Sequence, residues 1–182
     1  MSDLQARMIR AAKLDVALYQ DVKADPGAMG QATSVVALSG LAAGVGNFEA
    51  TGINGIIAFT VVEVIGWYLF AHLVYFIGTK FVPEPQTDTT PKQLLQTLGF
   101  ARAPGVLRVL ALAPGGLNAV VLIVAGIWML VTTVIAIRQT LGYESLWRAI
   151  GVCVLGLLLQ TVILFPIMTP FLNLLQPNTP GP

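Results

Sequence analysis

Charge is missing from most of this chain. No Asp, Glu, Lys or Arg occurs from Pro26 to Phe48, Ala50 to Val62, Val64 to Thr79, Val109 to Ile137 or Ala149 to Pro182. Helical apolar runs of about 18 residues or more cover the hydrocarbon layer of a bilayer, so the chain reads as an all-α, polytopic integral membrane protein. At 55% hydrophobic and 10% charged residues, its 182 residues fall outside the balance of soluble domains. No basic patch interleaved with aromatics occurs, and no nucleic-acid partner is expected. The one cysteine, Cys153, lies in an apolar run and cannot form an internal disulfide.

Residues 1–25 mix Arg7, Arg10, Lys13 and Lys23 with Asp3, Asp15, Asp21 and Asp25. That leaves no apolar centre for a cleavable signal, and the amino terminus is expected to stay. Leu4, Met8, Ala11, Ala12, Leu18, Tyr19 and Val22 share one helical face, which suggests an amphipathic helix at the membrane surface. Asp15 falls inside that stripe and needs water or a donor.

Residues 26–175 form the expected membrane domain, and 176–182 a short tail. Helix one is expected from about Pro26 to Phe48, with Asp25 capping its start. Its Gly40 and Gly44 form a small-residue strip for close helix approach. Asn47 to Asn54 reads as a polar connection, and helix two runs from Gly55 to Lys80, ending at Pro83-Glu84-Pro85. Helix four spans about Leu117 to Gln139. Helix five spans Leu146 to Leu174, with Pro166 and Pro170 expected to kink or end it.

The stretch from Pro91 to Pro114 is ambiguous, because it carries Lys92, Arg102, Arg108 and Pro104. Basic connections stay on the cytoplasmic side. Four of the ten Lys and Arg residues precede helix one, four lie from Lys80 to Arg108, and two are Arg138 and Arg148. If the stretch did not cross, the Arg138 to Arg148 connection would lie outside. Five crossings are therefore expected, the third broken at Ala103-Pro104, with the amino terminus inside and the carboxyl terminus outside.

Several segments then carry a resemblance when taken in order. They are Trp67 with Tyr75-Phe76-Ile77-Gly78-Thr79-Lys80, then Leu98-Gly99-Phe100-Ala101-Arg102-Ala103-Pro104-Gly105, then Ile137-Arg138-Gln139-Thr140-Leu141-Gly142-Tyr143-Glu144 with Arg148-Ala149. Over roughly residues 7–175 the chain resembles the prokaryotic branch of the Yip1 family. The resemblance implies five membrane helices and a cytoplasmic amino terminus, and for prokaryotic members no established reaction. The Asp-Leu-Tyr-Gly-Pro and Gly-Tyr-Gly motifs of eukaryotic relatives are missing, so neither their Rab partners nor a trafficking role carries over.

Glu63 is the sharpest candidate, because a carboxylate well inside an apolar helix faces protein, water or a counter-ion. Arg102 and Arg108 are its expected partners, either as a structural pair or as a protonatable gate. Arg102 could also hold a lipid phosphate. His72 lies about 180° round the helix from Glu63, so one ligand cannot meet both. It is a packing histidine or a haem or pigment ligand. Arg138, Gln139, Tyr143, Glu144 and Arg148 form a polar cluster that suits a cytoplasmic docking surface or a capped turn, with Glu144 and Arg148 spaced for an ion pair.

No phosphate-binding glycine loop, zinc-protease helix or nucleophile elbow occurs. The expected function is that of a non-enzymatic scaffold or accessory subunit, without cofactor or metal, in a bacterial inner membrane. Its partners would be lipids and other membrane proteins, or a second copy along Gly40 and Gly44. The alternatives are a small transporter or channel using Glu63 and Arg102, and a pigment- or haem-binding subunit using His72.

Overall fold

A computed structural model describes residues 2–113 and 116–175, and within these the fold is helical throughout, without strands. The expected tail at 176–182 and the end of the third segment at Pro114 lie outside the described residues. Four helices are long and apolar enough to cross a bilayer: Ala28–Gly46 (α3), Phe48–Phe76 (α4) with its π-helical extension Ile77–Phe81, Asn118–Leu141 (α6), and Leu146–Ile167 within α7.

The single amphipathic helix expected over 1–25 is two helices, Ser2–Ala12 (α1) and Val16–Ala24 (α2). Leu14 takes a left-handed φ of 61° between them. Asp15 finds its donors within the N-terminal segment and not on the membrane domain: its Oδ1 accepts from the Ala17 N–H as the α2 cap, and its Oδ2 pairs with Arg10 at 2.6 Å. The Arg10 guanidinium holds the Asp15 carboxyl below its ordinary range, and Arg7, 2.8 Å away, does the same for Asp25. The apolar side of the pair is covered: Ala11, Leu18, Tyr19 and Val22 are fully buried. The Trp128 indole N–H donates to the Ala12 carbonyl, midway along α6, so the α1–α2 corner lies along the flank of the bundle.

The α3–α4 contact sets the bundle. A Cβ on Gly40 would come within 2.7 Å of Thr60 Cα, and one on Gly44 would run into Ile56 Cα. The strip expected to serve self-association is thus occupied by α4 of the same chain and is closed to a second copy. The polar connection expected at Asn47 to Asn54 shrinks to Asn47. Helix resumes at Phe48, because Asn47 and Thr51 bond back into the preceding turns, and only Gly52, at φ 60°, departs from helical geometry.

The third segment consists of Pro91–Phe100 (α5) and a 3₁₀ helix, Ala103–Leu112. Thr90 and Gln93 form a reciprocal capping box at its start. It accompanies α3 from end to end. Gln96 donates to the Asp25 carbonyl, Gly99 abuts Ala32, Gly105 abuts Ser39, and the Arg108 carbonyl and Ala111 abut Gly46. The turn away from α-helix falls at Ala101–Arg102, just before the expected Ala103-Pro104. The Thr132 hydroxyl donates to the Ala101 carbonyl that the break leaves free.

Gly142, at φ 73°, ends α6, and α7 runs from Leu146 through Pro166 and Pro170 to Leu175. The prolines were expected to kink or end this helix; they do not end it, since each removes a single donor. The core gathers where α2 and α5 meet the bundle, around Phe70, Leu94, Leu98, Phe100, Ile137 and Leu141.

Replacing Gly44 by Val should force α3 from α4 and destabilise the protein by about 1–3 kcal/mol. Gly30→Ala, where an added Cβ meets no atom within 4 Å, should be close to neutral. Thermal unfolding of both variants in one detergent checks the difference.

Candidate functional site

Helix α4 carries Glu63 into the interior on the side that faces the third segment. Its Oε1 lies 3.6 Å from Arg102 Nη1 and its Oε2 lies 3.2 Å from Arg108 Nη2. The three side chains are only 14–17% exposed. Both arginines named from the sequence as partners thus reach the same carboxylate. Their roles differ. Arg108 Nη2 also donates to the Ser39 hydroxyl at 2.6 Å and to the Ser39 carbonyl at 3.0 Å, and its Nε donates to the Gly105 carbonyl. It therefore joins the third segment to α3 and α4 together. Arg102 has the 3.6 Å approach to Glu63 and, among the described residues, no side-chain hydrogen bond.

One carboxylate faces two guanidiniums, so the set carries one surplus positive charge inside the helical bundle. Glu63 Oε1 is buried without a hydrogen-bond partner. Beside the arginines lies a cavity of about 420 Å³, whose wall combines Arg102, Arg108, Asn47 and Thr133 with apolar side chains of α4, α6 and α7. Asn47 also lines a second cavity of about 540 Å³, formed with Gly46, Glu49 and Asn118 where α3 ends. Asn118 donates to the Gly46 and Ala111 carbonyls, satisfying the ends of α3 and of the 3₁₀ helix. The sequence reading missed Asn47 and Asn118; their only signal was an amide at each boundary of an apolar run.

His72 stands apart from this set. Its Nδ1 lies 2.8 Å from the Tyr68 carbonyl of its own helix, and its ring packs on the Tyr68 ring at 4.4 Å between centroids. No group of three or more metal-binding side chains occurs among the described residues.

The polar cluster sits at the opposite end of the bundle. Arg138 donates from Nε to the Tyr143 carbonyl and from Nη2 to the Glu144 carbonyl, which fixes the turn after α6. The Tyr143 hydroxyl lies 2.9 Å from both the Gly78 and the Val82 carbonyl oxygens, which share its single proton. Burial, reinforced by Glu84, pushes the Tyr143 phenol up to about 12. Gln139 accepts from Gln20 of α2.

The expected Glu144–Arg148 pair is replaced. Arg148 Nε lies 3.5 Å from Glu84 Oε1, and Glu84 Oε2 accepts from the Glu144 and Gln86 N–H groups. Glu84 is the better partner because its side chain is only 8% exposed, whereas Glu144 faces solvent. Read from the sequence only as part of a helix breaker, Glu84 was overlooked. An acid fixed between two prolines was the available signal.

Glu63→Gln leaves two guanidiniums without a counter-charge and should cost about 3–5 kcal/mol, the cost of breaking a buried pair. Adding Arg102→Gln to it should recover part of that loss. A double-mutant cycle on unfolding in detergent checks the coupling.

No curated protein and no solved structure matches the chain. The family model of the Yip1 domain matches residues 17–168, a stretch that takes in nearly all of α2, the Glu63 set and about three quarters of α7. The protein is a multi-pass membrane protein, and it belongs to the Yip1 domain family.

Proposed function

We propose that this chain is a non-enzymatic scaffold or accessory subunit that holds lipids or other membrane proteins in a bacterial inner membrane. The observation that carries this reading is the employment of its charged groups at membrane depth. Glu63 ties α4 to the third segment, and Arg108 ties that segment to α3. These groups are engaged inside the bundle, while the apolar outer faces are left for neighbours. Val120, Ile123 and Ile127 of α6 and Leu158, Val162 and Phe165 of α7 are each more than half exposed. Because α4 occupies the Gly40 and Gly44 strip, partners would meet these outer faces.

The bundle would cross the bilayer five times, with the amino terminus inside. Ten Lys and Arg residues less the interior Arg102 and Arg108 leave eight. Of these, Arg7, Lys23, Lys80, Lys92, Arg138 and Arg148 lie at the end where α3 begins, and Arg10 and Lys13 lie at the α1–α2 corner on the flank of the bundle. By the positive-inside rule, such an asymmetry supports a cytoplasmic position for that end.

Extraction from native membranes in mild detergent should yield an assembly with a companion membrane protein in fixed ratio, or with retained lipid. A lipid-free monomer in detergents of decreasing harshness would contradict the reading.

A further inference from the structure

A guanidinium at membrane depth without hydrogen-bond acceptors is costly unless something completes it. Glu63 engages Arg108 more closely than Arg102, at 3.2 Å against 3.6 Å, and Arg108 also has Ser39. The surplus positive charge therefore falls on Arg102. Both arginines line the cavity of about 420 Å³ together with Asn47 and Thr133, a volume within the range of small-molecule sites. Asn47 uses its amide toward the Ala43 carbonyl and keeps a second N–H. The only carboxylate of the adjoining cavity, Glu49, does not line this one.

The remaining wall is apolar and open at the side. Phe59 of α4 and Leu130 of α6 border the cavity and are 37% and 48% exposed, so it faces hydrocarbon between these helices. Its depth is modest. The Arg108 carbonyl abuts Gly46, the last residue of α3, and its side chain reaches back to Ser39, seven residues or about 10 Å along that helix.

We propose that this cavity binds the phosphate of an anionic phospholipid from the leaflet at the Gly46 end, with Arg102 as its principal ligand and the acyl chains leaving between α4 and α6. A planar guanidinium matches two phosphate oxygens, and the bound anion neutralises the surplus charge. The apolar sides accept the glycerol and the first methylenes, which a water-borne phosphate would leave uncovered. This inference rests on the binding reading above and names its ligand class.

The test uses the full chain in vesicles of phosphatidylcholine containing phosphatidylglycerol as a minor component, with retained lipid counted by native mass spectrometry after gentle extraction. Phosphatidylglycerol should be retained at about one per chain, in preference to phosphatidylcholine. Arg102→Gln should weaken retention about tenfold, the worth of one charge-assisted contact. Because Glu63 keeps its closer partner Arg108 and the Arg102 side chain makes no hydrogen bond among the described residues, this variant should keep the fold.

Gly126→Leu supplies the second arm. Gly126 lines the cavity, and a Cβ there meets no atom within 4 Å, so a larger side chain enters the open space without replacing a charged group. It should reduce retention to a similar degree while thermal unfolding stays that of the parent. Equal retention of both lipids, or retention unchanged in both variants, overturns the proposal. Displacement by excess inorganic phosphate would identify a water-borne anion and overturn the lipid assignment. If a companion protein co-extracts while no phospholipid does, this site assignment falls and the broader binding reading stands; if neither does, both fall.

Discussion

The contact of Glu63 with Arg102 and Arg108 is the constraint on which the rest of the arrangement depends. A segment carrying two arginines does not enter hydrocarbon alone, since each uncompensated charge there costs several kcal/mol. One carboxylate on α4 answers both, and Ser39 on α3 completes Arg108. The third segment is thereby tied to the two helices that precede it. The remaining imbalance of one positive charge is left beside a cavity rather than against packed side chains.

The same segment is costly for its backbone, and its neighbours answer that cost group by group. Where α5 gives way to the 3₁₀ helix, Thr132 meets the Ala101 carbonyl, and near the far end Asn118 meets the Ala111 carbonyl. Small residues allow the close passage this needs. Gly99 lies against Ala32, and Gly46 lies against the Arg108 backbone. Close approach, backbone satisfaction and charge pairing are one solution to one problem, a polar broken segment running inside an apolar bundle.

The long apolar helices were legible because composition alone distinguishes them, and Glu63 was legible because a lone acid in such a run demands a partner. Which partner was partly legible, since the ambiguous segment offered few cations. Other features were hidden because they depend on pairs distant in sequence. A Gly40–Gly44 strip does not state whether the helix against it belongs to the same chain, and here it is α4. Arg148 had a cognate acid four residues away, yet it turns to Glu84, which lies across the bundle end and is far less exposed. The division of the N-terminal helix at Leu14 was invisible because the hydrophobic stripe continues in phase across it, while the backbone does not.

The most direct measurement is the sidedness of the connections that flank the third segment. In a Cys153→Ala background, single cysteines replacing Asp88 and Leu117 would be treated with a membrane-impermeant maleimide in sealed vesicles of known orientation. The expected result is reaction of the Asp88→Cys chain from the face that carries the amino terminus and of the Leu117→Cys chain from the opposite face. Reaction of both from one face would contradict the passage of Arg102 and Arg108 through the bundle.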